Sequence, residues 1–365
     1  MVSKKCLSCV LLVTCFSCVG SIKIIDEDNI DLSSDDVSTA SGKQSEGLLS
    51  LLRDLPDEQI IAGQESTFWD APWENWFPTT RDSYVQDKSG GKYPGLFSSD
   101  FGDFALRDLD YSEERIHELR GRLVDVIAEY ADQGSLIMLS YHMCPPDEVD
   151  GCGYNVMAGY SDGNPYPEWR IDEILTEGTE LNQTHIKRLD DMAGHLKTLK
   201  NKGINVIWRP FHEMNGPWFW WGKQHRYVEL YRQMHTRFSE VHQLDNLIWA
   251  WSVNYWNTEQ EENPARYYPG HDVVDLIGAD IYISHGHSYD VSMYDELLDI
   301  GEHNKPMAIT ENGALPDWPQ MAREQPKWAF WATWFGFENR TSDQDYNRIF
   351  NDDRVMTLDD LPPGL

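Results

Sequence analysis

The chain of 365 residues carries 61 acidic and 30 basic side chains, which gives a formal net charge of −31 at pH 7. Nucleic acids and anionic membranes bind basic patches, and a chain this acidic repels both. The composition therefore excludes these two partners and fits a soluble protein that acts on a neutral ligand.

Residues 1–20 have the pattern of a secretory signal peptide. "MVSKK" supplies a positive start, "CLSCVLLVTCFSCVG" supplies the apolar stretch, and small residues follow at Gly20 and Ser21. That stretch is short for a helix that spans a bilayer, and an uncleaved anchor is the alternative. We therefore expect a secreted, extracellular protein. Its acidic, serine-rich residues 21–50 are predicted to form a flexible leader ahead of a single domain over residues 51–365.

Two kinds of covalent modification are indicated. Outside the signal only Cys144 and Cys152 remain, and an even pair in an exported protein predicts one disulfide. Two unrelated buried thiols are the alternative. Asn182 and Asn339 stand in N-x-T sequons, which matter if the host is eukaryotic.

Within the domain, short apolar runs alternate with amphipathic segments. The runs lie at 60–63, 95–100, 135–142, 204–213, 246–254, 275–284, 305–313 and 328–336. Runs that are apolar on both faces are typical of buried parallel strands. Helical patterns with start and stop signals lie between them, at 112–134, 182–203 and 225–242. This alternation predicts an α/β fold, a (β/α)8 TIM barrel. An open doubly wound sheet is disfavoured because no G-x-G-x-x-G follows the first run.

Two glutamates come directly at the end of a predicted strand. Glu213 ends "INVIWRPFHE" and Glu311 ends "KPMAITE". In a barrel of this type, catalytic groups lie at the carboxyl ends of the strands. Two facing carboxyl groups are what the hydrolysis of a glycosidic bond requires. For each glutamate alone, a salt-bridged or solvated strand end is the alternative.

Aromatic side chains crowd around Glu213 in the stretch "WRPFHEMNGPWFWWG". Trp218, Phe219, Trp220 and Trp221 could stack on sugar rings, and an apolar setting raises the pKa of a carboxyl group. Large aromatics also dominate protein cores, so we expect at least two of these four rings to be core residues.

Other reaction types find weaker support. "HEMNG" begins like the zinc motif H-E-x-x-H, but Gly216 stands where the second histidine is needed. His285 and His287 are interpreted as residues of a rim loop. A serine hydrolase is disfavoured because G-x-S-x-G does not occur. We therefore expect no metal and no cofactor.

The stretch "VIWRPFHEMNGPWFWWG" resembles the signature of glycoside hydrolase family 26, which is best known for β-mannanases. The resemblance covers roughly residues 55–362 and includes "LSYHM", "NLIWAWS", "KPMAITENG", "FWATWFG" and "VMTLDDLP". Related barrel families usually carry asparagine before the acid/base glutamate. His212 in that position favours family 26.

The resemblance implies a role for each matching residue. Glu213 matches the general acid/base of a retaining, metal-independent enzyme, and Glu311 matches its nucleophile. His212, Trp218 and Tyr282 match residues that line the site around the sugar to be cleaved.

Two further matches lie on other strands. His142, on the third strand, matches a histidine that contacts substrate. Trp334, on the last strand, matches a tryptophan that forms a floor under the sugar, with Trp331 as the competing choice.

The resemblance leaves the polysaccharide open. Mannan, galactomannan or glucomannan is expected on the frequency of such enzymes in the family, which also contains mixed-linkage β-glucanases and β-1,3-xylanases. Residues 143–174 depart from what a plain mannanase would carry and are predicted to shape one end of the cleft. A non-catalytic sugar-binding protein is the third hypothesis. In each case we expect a monomer.

Overall fold

The structure is a computed structural model of the chain. It describes residues 45–56, 58–66, 79–102, 112–148, 152, 166–255, 262–282, 291–316 and 318–364. The predicted signal peptide and most of the predicted leader lie outside the described residues, as do His285 and His287.

Eight parallel strands form a closed barrel, because β1 pairs with both β2 and β8. The strands are β1 Ile60–Glu65, β2 Leu96–Asp100, β3 Leu136–Tyr141, β4 Val206–Pro210, β5 Leu247–Asn254, β6 Leu276–Ile281, β7 Met307–Asn312 and β8 Trp328–Thr333. A short ninth strand, β9 (Val355–Met356), pairs in parallel with the start of β1. Seven of the eight predicted apolar runs contain a whole barrel strand, and β1 extends two residues beyond the first run, so the predicted (β/α)8 barrel is confirmed.

One helix precedes β1, one follows β8, and the others lie in the connections between barrel strands; the described part of the β5–β6 connection contains only a 3-10 turn, Pro264–Tyr267. They are α1 at 45–54, α2 Thr79–Ser89, α3 Glu113–Asp132, α4 Glu168–Leu175, α5 Glu180–Asn201, α6 Tyr227–Thr236, α7 Val291–Ile300, α8 Trp318–Glu324 and α9 Asp343–Phe350. Ser112 caps α3 and Thr179 caps α5, each by accepting a hydrogen bond from a backbone N–H. A π-helical turn, Arg237–Val241, continues α6. Within the described part of the chain, no helix combines the length and the apolarity needed to cross a bilayer.

Each strand packs against one apolar cluster inside the barrel and another outside it, which explains why the strand sequences are apolar on both faces. One cluster inside the barrel takes residues from all eight strands, such as Ile61, Ile207 and Phe330. Leu48 and Leu52 of α1 belong to the same cluster, so this helix closes the barrel at its amino end. The other cluster lies between the strands and the outer helices. The folded part of the chain thus includes residues that precede residue 51.

The segment after β3 carries the disulfide. Cys144 and Cys152 are bonded, with their Cα atoms 5.8 Å apart. The guanidinium of Arg188, on α5, donates to the backbone carbonyls of Cys144, Pro145 and Glu148 over 2.6–2.8 Å. This buried arginine ties the start of the segment to the outer helix layer.

The two sequons differ in accessibility. The side chain of Asn182 is buried, and its amide donates to the carbonyl of Ile174 over 2.8 Å. Asn339 is exposed, in a 3-10 turn after β8.

Candidate active site

Glu213 stands where the chain turns sharply after β4. Phe211 and Glu213 have φ of 49° and 54°, in the left-handed region that residues with a Cβ rarely adopt. The backbone N–H of Glu213 donates to the carbonyl of Ser252 on β5 over 2.8 Å, which fixes the turn. Strained backbone of this kind concentrates at functional sites.

Glu311 lies on β7 and is held by donors from two other strands. Its Oε1 accepts from the guanidinium of Arg209 on β4, and its Oε2 accepts from the hydroxyl of Tyr282 over 2.5 Å. The Nε2 atom of His212 is 3.9 Å from Oε1. These contacts hold the Glu311 carboxylate in place at the end of the barrel.

A third buried carboxyl group, that of Asp280 on β6, completes a cluster. One carboxylate oxygen each from Glu213, Asp280 and Glu311 lies within 4.8 Å of the other two. The two glutamates therefore face one common space, although 98 positions separate them in the sequence.

Burial raises the pKa of Glu213 well above its usual value, and the nearby carboxylates of Asp280 and Glu311 raise it further. The indole N–H of Trp218, which donates to Glu213, and the charge of Arg209 act in the opposite direction. The net effect favours the protonated acid near neutral pH.

Arg209 balances the charge of the cluster from within the barrel. Its guanidinium is 1% exposed, donates to Asp280 over 2.9 Å, and also donates to Glu311. Asp280 accepts further hydrogen bonds from Ser252 and Thr310 at 3.0 and 2.6 Å. Burial raises the pKa of Asp280 to about 7, and Arg209 opposes this shift.

The three clustered carboxyl groups are close enough to share a cation. Arg209 already donates to two of them, however, so its guanidinium provides the positive charge that a metal ion would supply. The expectation of no metal stays a prediction.

The aromatic stretch divides into core and site. Trp220 and Trp221 are fully buried, and their indole N–H groups donate to the carbonyls of Met143 and His212. Phe219 is also buried, whereas Trp218 is half-buried beside Glu213. At least two of the four rings are thus core residues, as expected. A Cβ at Gly216 would overlap the Trp218 ring, so glycine is needed for this approach.

The predicted binding residues lie around the same cluster. The His142 and His212 rings contact edge to face with Nε2 atoms 3.1 Å apart, and the Trp334 ring is 6.2 Å from the His142 ring. Trp331 is fully buried against Phe350 of α9, away from the carboxyl groups. Of the two tryptophans weighed on the last strand, Trp334 is therefore the one at the site.

Three polar residues of the site carry no role in the sequence-based interpretation, namely Arg209, Asp280 and Asp100. All three are charged residues inside or at the end of an apolar strand run. A charge in such a run must find a partner when it is buried, and that requirement is the signal that could have revealed them.

The described residues place another carboxyl group, Glu65, at the end of β1. It is 2% exposed, and burial raises its pKa well above the usual value, assisted by Asp100 and Glu311. Hydrogen bonding from Ser98 acts in the opposite direction.

The comparison with protein families gives one match over most of the chain. The sequence model of glycosyl hydrolase family 26 matches residues 37–360.

Several similar proteins are named as mannanases. The chain is 28% identical, over 86% of its length, to a mannan endo-1,4-beta-mannosidase of Thermothelomyces thermophilus, and spans 60% of that relative. Among solved structures, it matches GH26A from a Muricauda species with a TM-score of 0.75 and 29% identity, covering 88% of this chain and 98% of the other. It also matches a beta-mannanase from a symbiotic protist of the termite Reticulitermes speratus, complexed with gluco-manno-oligosaccharide, with a TM-score of 0.73 and 26% identity, covering 88% of this chain and 95% of the other.

Proposed function

The chain belongs to glycosyl hydrolase family 26, and we propose that it is a retaining glycoside hydrolase that cleaves β-1,4-mannosidic bonds in mannan, galactomannan or glucomannan. In this proposal Glu213 is the general acid/base and Glu311 is the nucleophile. No cofactor takes part.

The observation that carries the proposal is the contrast between two carboxyl groups that share one space. Their nearest oxygens lie within 4.8 Å. This is close to the separation of about 5–5.5 Å in retaining enzymes and far from the 6.5–9.5 Å or so of inverting ones. Glu213 is held in the neutral form by burial, while Glu311 accepts hydrogen bonds from Arg209 and Tyr282. One group is thus prepared to give a proton and the other to attack.

In the first step, a carboxylate oxygen of Glu311 attacks the anomeric carbon of the bound sugar. The bond from that carbon to the bridging oxygen breaks, and the proton of Glu213 passes to the leaving oxygen. The products are a glycosyl ester on Glu311, an ionised Glu213 and a shortened polysaccharide. Tyr282 and Arg209 orient the attacking carboxylate.

In the second step, the ionised Glu213 takes a proton from a water molecule, whose oxygen attacks the same anomeric carbon. The ester bond breaks, Glu311 leaves as a carboxylate, and the sugar departs with the configuration it had at the start. Both glutamates return to their initial protonation states.

The surrounding side chains suit a sugar in the space between the glutamates. Trp334 offers an apolar ring next to His142, the paired rings of His142 and His212 offer polar nitrogens, and Trp218 offers a half-buried ring beside Glu213. A pyranose presents C–H faces to aromatic rings and hydroxyls to polar groups, so we assign substrate contacts to these four residues and to Tyr282.

The choice of mannan is supported by the similar proteins. The Thermothelomyces relative is named a mannan endo-1,4-beta-mannosidase, and the protist structure is a beta-mannanase with a gluco-manno-oligosaccharide. We further propose that residues 1–20 are a signal peptide, that residues 21–50 contain the leader, and that the protein acts outside the cell as a monomer on its polysaccharide.

The test is a parallel assay of galactomannan, glucomannan, lichenan and β-1,3-xylan with sizing of the products, together with NMR of the first anomer released from mannopentaose. We expect the highest kcat/KM on a mannan and the β-anomer as the first product. Preferred hydrolysis of lichenan or xylan would refute the substrate, and initial release of the α-anomer would refute the mechanism.

A further inference from the structure

Asp100, at the carboxyl end of β2, is a buried carboxylate surrounded by donors. Its oxygens accept from the Ser140 hydroxyl at 2.6 Å, from Nδ1 of His142 at 2.7 Å, and from the backbone N–H of Gly102. Burial raises the pKa of Asp100, but the electrostatic attraction of the His142 ring and the hydrogen bonds from His142, Ser140 and Gly102 outweigh burial and hold the pKa below its usual value. Asp100 is therefore an ionised group that can only accept.

A line of close contacts runs from Asp100 to the proposed nucleophile. Nδ1 of His142 faces Asp100, and Nε2 of the same ring lies 3.1 Å from Nε2 of His212. That Nε2 atom of His212 is 3.9 Å from Oε1 of Glu311. Three strand ends, those of β2, β3 and β4, thus contribute to a continuous path.

The protons on this path can be assigned from hydrogen-bonding needs. Asp100 cannot donate, so Nδ1 of His142 carries a proton. His212 is fully buried, and burial, with the charge of Arg209 and the ring of His142, lowers its pKa well below the usual value. His212 is therefore neutral and has one N–H.

The position of that N–H follows from the other nitrogen of His212. Within the described residues, Nδ1 of His212 is buried without a hydrogen-bond partner. A buried donor without an acceptor is costlier and rarer than a buried acceptor without a donor. The proton is thus on Nε2, from which it donates to His142 beside Glu311.

We propose that Asp100 is a positioning residue of the sugar-cleaving reaction, because it fixes the order of protons along His142 and His212 so that His212 presents an N–H, and not a lone pair, next to Glu311. This inference rests on the proposed function. The positive edge of an N–H attracts the Glu311 carboxylate 3.9 Å away, whereas a lone pair on the same nitrogen would repel it.

The variant Asp100→Asn tests the order of protons directly. The new amide cannot place its NH2 group toward Gly102, because two donors would meet there. It can place the NH2 group toward Ser140 and His142. The Ser140 hydroxyl can rotate so that its oxygen accepts, and the His142 ring can carry its proton on Nε2, which leaves Nδ1 free to accept. The NH2 group then donates to Nδ1 of His142, and the proton of His142 shifts to Nε2. His212 must accept from it and carry its own proton on Nδ1. An aspartate-to-asparagine change beside a catalytic histidine has this kind of tautomeric effect.

The matched control is Ser140→Ala. It removes another hydrogen bond to the same Asp100 oxygen but leaves the carboxylate and both tautomers in place. On mannopentaose we expect Asp100→Asn to lower kcat about 10-fold or more, with KM changed less than about 3-fold, and Ser140→Ala to lower kcat by no more than about 3-fold. A folded Asp100→Asn enzyme with the turnover of Ser140→Ala would overturn the proposal.

Histidine-selective ¹⁵N NMR shows which ring nitrogen carries the proton, and it requires neither a substrate nor a measurement of turnover. In the wild-type protein we expect His212 to be protonated at Nε2 and bare at Nδ1, with the proton moved to Nδ1 in Asp100→Asn. Protonation at Nδ1 in the wild type, or no change in the folded variant, would refute the proposed order. If the wild type cleaved no mannoside but showed the expected tautomers, the proposed function would fail while the assignment of the protons stood.

Discussion

At the scale of single residues, the two proposed catalytic glutamates have the same side chain and different surroundings. Glu213 receives one neutral donor, the indole of Trp218, in an otherwise carboxyl-rich environment. Glu311 accepts hydrogen bonds from the guanidinium of Arg209 and from the phenol of Tyr282. Under the proposed function, the different roles of the two glutamates follow from these different neighbours.

The acid role of Glu213 predicts a dependence on the leaving group. In Glu213→Ala, hydrolysis of mannan should fall about 10²–10⁴-fold, because a sugar alkoxide leaves poorly without a proton. Formation of the glycosyl ester from a 2,4-dinitrophenyl mannobioside should fall far less, since dinitrophenolate leaves without one. Pre-steady-state release of dinitrophenol measures this step. Equal losses on both substrates would contradict the assignment.

The hydrogen bond from Tyr282 to Glu311 predicts a measurable loss of turnover. In Tyr282→Phe the nucleophile loses a donor to its charged form, and kcat should fall about 10- to 100-fold. Tyr93→Phe is the matched control, because Tyr93 is exposed to a similar extent, 40% against 37%, and precedes the amino end of β2, whereas the carboxyl cluster lies at the carboxyl ends of the strands. Turnover of Tyr282→Phe equal to that of Tyr93→Phe would argue against an orienting role.

At the scale of elements, the strands could be predicted from the sequence because each is buried on two sides. Such strands read as continuous apolar runs, and the helices between them carry caps at Ser112 and Thr179. Helix α1 was not predicted, because its leucines directly follow an acidic, serine-rich segment. The residues that these leucines contact lie on strands far along the chain. Periodicity cannot show which distant element a leucine will contact.

The same limit applies to the polar part of the site. Glu213 and Glu311 could be located because each lies at the end of a predicted strand. Arg209 and Asp280 lie within such runs, and their pairing depends on strand register across 71 positions. Sequence alone shows that a buried arginine needs a partner, but only the closed barrel shows which carboxylate it contacts.

The segment after β3 depends on one buried cation of α5. Arg188→Met would leave the carbonyls of Cys144, Pro145 and Glu148 without their donor, and we expect a loss of about 2–4 kcal/mol in the free energy of unfolding. Urea denaturation with the disulfide intact measures this.

The control for that variant is the neighbouring residue on the same helix. Lys187 makes an exposed ion pair with Asp191, so Lys187→Met should change the free energy of unfolding by no more than about 0.5 kcal/mol. Equal destabilisation by both variants would mean that the buried hydrogen bonds of Arg188 contribute nothing specific.

At the scale of the whole molecule, acidic charge is a feature of the interior as well as of the composition. Five buried carboxyl groups lie at the carboxyl end of the barrel, near the buried guanidinium of Arg209. They are Glu65, Asp100, Glu213, Asp280 and Glu311. Charges of one sign in a poorly solvated space cannot all ionise together. Burial raises the pKa values of Glu65, Glu213 and Asp280, and the neighbouring carboxylates raise them further.

The raised pKa of Glu65 predicts a contribution to the free energy of unfolding that falls as the pH rises. Glu65 keeps its proton in the folded protein, whereas in the unfolded chain it ionises at its usual value near 4.5. A raised pKa means that the folded state binds more protons than the unfolded one. This contribution to stability is complete at acidic pH and is lost as the pH rises toward the folded pKa, at a rate of up to about 1.4 kcal/mol per pH unit for one proton.

Glu65→Gln removes that titration while it keeps the shape of the neutral acid. We therefore expect the variant to gain stability relative to the wild type as the pH is raised from 5 to 8, measured as the difference in free energy of unfolding in urea at each pH. Glu129→Gln, on the exposed face of α3, is the control and should follow the wild-type curve. A difference between Glu65→Gln and the wild type that stays constant over this range would mean that Glu65 titrates alike in the folded and unfolded states, and would remove Glu65 from the set of protonated interior acids.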